Sequence, residues 1–298
     1  MENQSHKSVS DLSVTEFLNC FSVPVVVGSA VSAFFWSTYF QTSLPLIFYW
    51  LLPSTVWLIY TIDHILDGRR LGSDASSLRH RIHFIYRKEL QFTCLILILL
   101  NTILSVTSLP TSILLTGGSL ALLISVYFVF VHRKSRENSV QRKIPSKEIF
   151  IAIGACIGML VLPGIPATAE WSIGNVLLIL SFFGINFGNI LIFSFFDHDD
   201  DLKDGFSTAG SIGVEKLEQL IQQVLISTFL LITFWTFVVN SPRKLPVIMT
   251  LMLMLNMLGL IMIKKEEFKD HGRYRLWGDM IYLAPGLIWF LLRNTDLF

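Results

Sequence analysis

The stretch that decides the fold is residues 174–204, GNVLLILSFFGINFGNILIFSFFDHDDDLKD, where a long apolar run ends in a cluster of aspartates. The run 174–196 is long enough to cross a bilayer as a helix, which takes about 20 residues. The carboxylates that follow repel one another, and the helix dipole disfavours anions at a C-terminal end. The pattern therefore predicts a membrane-spanning helix whose acidic end needs compensating positive charge.

The rest of the chain has the same apolar character. Of its 298 residues, 52% are hydrophobic and 15% are charged, whereas soluble domains carry about 25% charged residues. We predict an all-α, polytopic membrane protein in which residues 1–298 form one integral membrane domain and 1–17 a cytosolic segment, without a cleavable signal peptide. The nine predicted transmembrane helices are 18–40, 44–62, 90–108, 111–131, 148–168, 174–196, 219–239, 245–263 and 277–292.

The basic residues predict the orientation of these helices. With nine spans, 20 of the 23 Lys and Arg residues fall on the side of the N-terminus, and only Arg243, Lys244 and Arg293 fall on the other. Because cytoplasmic loops carry the excess of positive charge, we expect the basic side to be cytosolic, in a bacterial cytoplasmic membrane. The net charge of +1 does not favour nucleic acid. The sequence does not indicate an oligomeric state.

A second acidic pair follows the second predicted span, in YTIDHILDGRR at 60–70. Asp63 and Asp67 are four residues apart, as are Asp197 and Asp201, so each pair shares one helix face. Asp204 continues the second stripe by one turn. Mg²⁺ prefers oxygen ligands and is commonly held by one or two carboxylates together with substrate phosphates. The two cytosolic pairs therefore predict a magnesium site that receives a diphosphate.

The segment DHDDDLKDGFSTA at 197–209 resembles the second aspartate motif of the UbiA superfamily of intramembrane prenyltransferases. The likeness is greatest to the para-hydroxybenzoate polyprenyltransferase branch. It implies a UbiA-like helical bundle whose metal ligands are Asp63, Asp67, Asp197 and Asp201. The first motif departs from the family pattern, because Ile59 and Tyr60 stand where the family has an Asn-Asp pair.

The resemblance also implies groups that bind the diphosphate. Counting back from Gly154 and Gly158 places the lysine of a family element on Lys143, although Ser139 replaces its tyrosine. In the family, basic residues of the loop that corresponds to 77–84 of this sequence help to grip the diphosphate. The resemblance therefore implies this role for Arg79 and Arg81. The alternative for that loop is charge that only sets topology.

Other polar residues allow more than one interpretation. His80 and His83, three residues apart, could ligate a transition metal, although no further Cys or His completes a tetrahedral set. Asn186 and Asn189 lie on the side of Asp197 and either contribute to substrate binding or form interhelical hydrogen bonds. The glycine pairs 154/158 and 184/188 have the spacing of close helix packing.

The function implied is a Mg²⁺-dependent prenyltransferase that ionises an allylic isoprenyl diphosphate and transfers the prenyl group to a small, aromatic acceptor. Lys143 and Asp204 are the expected catalytic residues, with Asp199 and Asp200 as other candidates for deprotonating the acceptor. Two alternatives stay open: a terpene cyclase of the same superfamily that needs no acceptor, and a degenerate protein that binds a divalent ion or a lipid diphosphate without turnover.

Overall fold

The computed structural model describes residues 9, 12–134, 146–164, 172–206, 208–269 and 272–295, and every regular element in these ranges is helical. The α-helices in chain order are α1 (Val14–Cys20), α2 (Val23–Phe40), α3 (Phe48–Leu71), α4 (Leu78–Ile85), α5 (Arg87–Ser108), α6 (Thr111–Lys134), α7 (Ser146–Cys156), α8 (Leu162–Gly164), α9 (Ile173–Phe196), α10 (His198–Asp204), α11 (Val214–Val238), α12 (Lys244–Ile263), α13 (Lys265–Lys269), α14 (Arg273–Met280) and α15 (Ala284–Leu292). Gly72–Asp74, Ala209–Ile212 and Ile281–Leu283 form 3₁₀ turns, and Ile157–Val161 is π-helical.

The all-α prediction is confirmed, and six helices within the described ranges are long and apolar enough to cross a membrane. They are Val23–Phe40, Arg87–Ser108, Lys147–Gly164, Ile173–Phe196, Val214–Val238 and Lys244–Ile263. The predicted second and fourth spans lie in α3 and α6, and the ninth is divided between α14, a 3₁₀ turn and α15. The count of nine spans therefore stays a prediction.

Helix α9 is the centre of the bundle. Two thirds of its apolar stretch is buried (67%), against 11% for α5, which lies at the periphery beside α3. Helix α9 packs most extensively against α11 and α7 and also contacts α12 and α14. Its N-terminus is capped by the Ser172 hydroxyl, which accepts from the Asn175 N–H at 3.2 Å. The acidic end of α9 is therefore held by the core of the molecule.

The two glycine pairs have different environments. A Cβ added at Gly184 would overlap the side chain of Thr228 on α11, and one at Gly188 would lie 3.1 Å from Leu225 Cδ2. At Gly154 an added Cβ would meet no atom of the described ranges within 4 Å. Close packing was therefore predicted correctly for 184/188 and wrongly for Gly154, because the same local spacing faces a neighbouring helix in one case and open space in the other.

Two close approaches position the functional end of the bundle. In α3, a Cβ at Gly68 would come within 2.7 Å of the His80 carbonyl oxygen, so α4 lies directly on α3. In α14, a Cβ at Gly278 would overlap the ring of Phe193 on α9. The absence of side chains at these two glycines lets α4 and α14 approach the elements that carry the aspartate motifs.

We expect Gly184→Ala to lower the stability of the protein and Gly154→Ala to leave it unchanged or slightly raised. The first change inserts a methyl group against Thr228, which costs about 1–3 kcal/mol. The second gains helix propensity of about 1 kcal/mol without a collision. Thermal unfolding of the two variants in the same detergent measures the difference, and equal midpoints would contradict the packing described.

Candidate functional site

The acidic motif begins where α9 ends. Asp197 follows the last residue of α9, and its N–H donates to the Phe193 carbonyl oxygen at 2.9 Å. The chain then continues into α10, where the Asp201 N–H donates to the Asp197 carbonyl oxygen at 2.8 Å. Helix α10 ends at Gly205, whose φ of +70° is the left-handed conformation that glycine adopts readily. Asp197 and Asp201 are thus one helical turn apart.

The Asp197 carboxylate is surrounded by donors from two other segments. Its Oδ1 accepts from the Tyr274 hydroxyl, and its Oδ2 accepts from Nη2 of Arg275 and, at 3.4 Å, from Nη2 of Arg79. Its side chain is only 15% exposed. Burial by itself raises the pKa of Asp197, but the Arg275 and Arg79 charges and the Tyr274 hydrogen bond outweigh burial and hold the pKa below its usual value. Asp197 is therefore a charged and fully partnered carboxylate.

Asp201 has a different environment although it belongs to the same stripe. Burial and the neighbouring charge of Asp197 raise the pKa of Asp201 to about 7. The charges of Arg79 and Lys147 and a hydrogen bond from the Thr208 side chain act in the opposite direction. Asp201 is thus the carboxylate of this motif that gains most from an added cation.

The two aspartate motifs meet at this end of the bundle. The half-buried ammonium group of Lys147 interacts electrostatically with Asp63, Asp67 and Asp201, which belong to both motifs. The end of α3 is also joined directly to the residue that follows α10, because Arg70 Nη2 donates to the Gly205 carbonyl oxygen at 3.0 Å. The structure thus brings the two predicted aspartate pairs to the same end of the bundle.

Asp204 and Arg81 hold the loop between α3 and α4. Both oxygens of Asp204 accept from the Ser76 N–H, at 3.0 and 3.3 Å. Arg81 Nη1 donates to the carbonyl oxygens of Ala75 at 2.9 Å and Ser76 at 3.4 Å. Both side chains therefore position the loop that precedes α4, the helix that carries Arg79. Lys143, the other predicted catalytic residue, lies outside the described residues.

Asn186 and Asn189 lie deeper in the bundle, about two to three helical turns from Asp197. The Asn186 Oδ1 accepts from the Tyr282 hydroxyl at 2.7 Å, and its amide donates to the Phe182 carbonyl oxygen at 2.7 Å. Asn189 is buried, and its Oδ1 has no hydrogen-bond partner in the part of the chain that the structure describes. Asn186 thus makes the interhelical bond that was one of its two sequence interpretations, whereas Asn189 retains a free acceptor.

Three histidines form a buried cluster beside the first motif. The ring centroid of His64 lies 5.6 Å from that of His80 and 5.1 Å from that of His83. Burial lowers the pKa of His80 to about 3 and that of His83 to about 4, so both are neutral near pH 7. Within the described ranges, no three histidine, cysteine or acidic side chains are arranged to hold a metal ion. The structure thus gives no support to a transition-metal role for these histidines.

The carboxylates that could hold Mg²⁺ are accompanied by cations. Among the described residues, Arg79, Lys147 and Arg275 act on members of the set Asp63, Asp67, Asp197 and Asp201. Part of the repulsion between the carboxylates is therefore compensated by the protein itself. Mg²⁺ needs only one or two carboxylates when substrate phosphates complete its shell, so the lack of a preformed three-ligand group in the described residues is compatible with it.

Four residues of this region were not singled out from the sequence. Lys147 interacts electrostatically with both motifs, and Tyr274 and Arg275 contact Asp197. In the sequence the two charged residues are indistinguishable from topology-setting loop residues, and the tyrosine gives no signal. Glu148 is buried and accepts from the Ala209 N–H at 2.7 Å and the Ser194 hydroxyl at 3.3 Å. Its position at the start of an apolar run was the one available signal, because ionisable residues inside a membrane segment usually have a role.

We expect Glu148→Leu to destabilise the protein by about 1–3 kcal/mol, because the buried Ala209 N–H loses its acceptor. Glu148→Gln retains an acceptor and should keep most of the stability. Glu215→Leu, at an exposed position, is the control and should change stability by less than about 0.5 kcal/mol. Unfolding midpoints in detergent measure the stability of all three variants. A Glu148→Leu variant as stable as the parent would contradict the role of Glu148 as the acceptor for the Ala209 N–H.

The raised pKa of Asp201 predicts a pH dependence of stability. The folded value of about 7 exceeds the ordinary value of 3.8, so the folded protein holds an extra proton between these limits. The corresponding stability is present at low pH and is lost as pH rises through about 7. In EDTA, the unfolding midpoint should fall more between about pH 5 and about pH 8 in the parent than in Asp201→Asn. Asp200→Asn is the control, and its unfolding midpoint should fall as much as that of the parent. Identical profiles for all three proteins would contradict the raised pKa of Asp201.

Comparison with known proteins bears on the fold. The sequence matches no protein-family model and no curated protein. The structure is similar to a solved structure of a digeranylgeranylglyceryl phosphate synthase in membranes, with a TM-score of 0.54 and 15% sequence identity. The similarity covers 92% of this chain and 93% of that one. The chain therefore shares, over nearly its whole length, the fold of that synthase.

Proposed function

We propose that this protein is an intramembrane prenyltransferase that ionises an allylic isoprenyl diphosphate and transfers the prenyl group to a small, aromatic acceptor. The observation that carries the proposal is the meeting of two aspartate pairs with Lys147 and Arg79 at one end of an apolar helical bundle. The fold adds support, because a protein of similar structure is named as the synthase of a digeranylgeranyl compound.

Mg²⁺ is the proposed cofactor, and Asp63, Asp67 and Asp201 are the residues that would hold it. When bound, it would neutralise the negative charge that develops on the leaving diphosphate. Asp197, the fourth ligand expected from the sequence, is engaged by Tyr274, Arg275 and Arg79. It joins the ligand set only after exchanging these partners.

The chain's own cations would stabilise the diphosphate alongside the metal. Arg79 projects from α4 toward the second motif, and Lys147 interacts with both motifs. We keep Lys143 and Arg81 as proposed diphosphate contacts on the strength of the family resemblance, with Arg81 also holding its own loop. Asp204 remains the proposed proton acceptor from the second substrate, which requires that it release the Ser76 N–H.

The surroundings of the site suit a substrate with a long apolar tail. The helices below the carboxylates are apolar, and α5 leaves most of its surface open to lipid. A prenyl chain can therefore lie between helices or in the bilayer while its diphosphate stays at the polar end. We propose that this end faces the cytosol of a bacterium, as the distribution of basic residues indicates.

A terpene cyclase is the second candidate. It is favoured by the first motif, where Ile59 and Tyr60 replace two polar family residues. Tyr60 lies near Asp63 and within 6.2 Å of the His64 ring, so an aromatic face adjoins the carboxylates. Aromatic faces stabilise cations, including the carbocation that both reactions share. A binding protein without turnover is the third candidate.

One assay separates these functions. The purified protein is incubated with geranyl, farnesyl and geranylgeranyl diphosphates, each with and without Mg²⁺ and with candidate aromatic acceptors, and diphosphate release is measured together with the products. Release that requires an acceptor supports transfer, and release of a cyclic hydrocarbon or alcohol without acceptor supports cyclisation. The absence of Mg²⁺-dependent release from these and longer diphosphates would refute an enzyme of either kind.

We expect Asp201→Asn and Asp67→Asn each to lower diphosphate release by about 100-fold or more, because each would remove a ligand of the Mg²⁺ that neutralises the leaving diphosphate. Asp200→Asn is the matched control in the same motif. The Asp200 side chain is 49% exposed and pairs with Lys203 on the surface. We therefore expect diphosphate release by Asp200→Asn to stay within about twofold of the parent. Similar losses in Asp200→Asn and Asp201→Asn would contradict the division of roles.

A further inference from the structure

The partners of Asp197 form a donor set that the sequence motifs do not include. Arg79 comes from α4, whereas Tyr274 and Arg275 come from α14. These two residues follow Asp197 by 77 and 78 positions in the chain. All three donate to the two oxygens of one carboxylate. Two guanidinium groups and a phenol converge here on a single oxyanion, which in this structure belongs to the protein itself.

These donors are buried and held in place. The side chains of Arg79 and Arg275 are 15% and 14% exposed. The guanidinium of Arg275 lies over the ring of Phe193, 4.7 Å from its centroid, which restricts the directions in which it can donate. Arg79 Nε is buried and has no hydrogen-bond partner among the described residues. The set therefore retains a donor that the Asp197 carboxylate does not satisfy.

A phosphate matches this donor set better than a carboxylate does. The planar guanidinium presents parallel donors that suit phosphate and carboxylate oxygens alike. A carboxylate offers two oxygens, whereas a terminal phosphate offers three and carries more charge. The unused Arg79 Nε is the kind of donor that an additional oxygen would satisfy.

We propose that Arg79, Tyr274 and Arg275 form an anion subsite for a phosphate group, and that Asp197 is its resident counter-ion, displaced when the phosphate binds. The identity of that phosphate as part of a prenyl diphosphate rests on the proposed function. The displaced carboxylate would then become available as a ligand one helical turn from Asp201. Substrate binding and cation binding would be coupled through this exchange of partners.

Removal of the resident carboxylate provides the test. In Asp197→Asn two buried guanidiniums lose the charged carboxylate to which they donate, which is unfavourable inside a protein. An added anion should therefore bind more tightly and restore stability. The probe is inorganic pyrophosphate in EDTA, measured by calorimetry and by the shift of the unfolding midpoint, so that neither a metal ion nor turnover is needed.

We expect Asp197→Asn to bind pyrophosphate about tenfold more tightly than the parent, and Arg275→Gln about tenfold more weakly. The double variant should bind like Arg275→Gln, because the gain depends on the freed guanidinium. Two controls match these changes. Asp200→Asn removes an equal charge from the same motif, and Arg273→Gln removes one from the exposed side of α14; neither should change binding by more than about twofold.

Three results would overturn the inference: unchanged or weaker binding in Asp197→Asn, unchanged binding in Arg275→Gln, or an equal gain in Asp200→Asn. If Asp197→Asn does not fold, Arg275→Gln still decides, because Asp197 there keeps Arg79 and Tyr274 as partners. Failure of the prenyl diphosphate assay alongside the expected pyrophosphate results would refute the proposed function and leave the anion subsite standing. Turnover in the prenyl diphosphate assay without these changes in pyrophosphate binding would refute the anion subsite and leave the proposed function standing.

Discussion

The buried contact of Asp197 with Arg275 and Arg79 is the interaction on which the functional end of the molecule depends. A charge removed from water is costly unless an opposite charge and hydrogen bonds replace its hydration. Here Asp197 lies at the end of α9, and its charged partners come from helix α4 and helix α14. Satisfying one carboxylate therefore fixes how these three elements meet.

The same requirement for a partner accounts for the different environments of the five aspartates. Asp197 is partnered by guanidiniums, and Asp204 by the Ser76 N–H. Asp199 and Asp200 pair with lysines at the surface, with side chains 68% and 49% exposed. Asp201 is left with the weakest compensation, and burial beside Asp197 raises its pKa. A group of like charges is thus divided by its neighbours into carboxylates with buried partners, solvated carboxylates and one buried carboxylate with weak compensation.

This division bears on how such a site would work. A metal site composed only of free carboxylates would be strongly repulsive before its ions arrive. In this protein Arg79, Lys147 and Arg275 offset part of that repulsion in advance. The cost of the arrangement is that Asp197 cannot serve the guanidiniums and a cation at the same time. Exchange between these partners gives a physical basis for ordered binding of anion and cation.

The sequence by itself determined the helical class, the membrane character and the two aspartate pairs, because these depend on composition and on spacing along one helix. It did not determine which residues meet those pairs. Tyr274, Arg275 and Lys147 are distant in the chain, and only the packing of α14 and α7 against α9 brings them to the site. The glycines illustrate the same limit, since Gly154 and Gly184 share a local pattern but only Gly184 faces another helix closely. Periodicity fixes the face on which a residue lies, whereas the tertiary structure decides what that face contacts, because contacts between helices depend on packing that no single segment encodes.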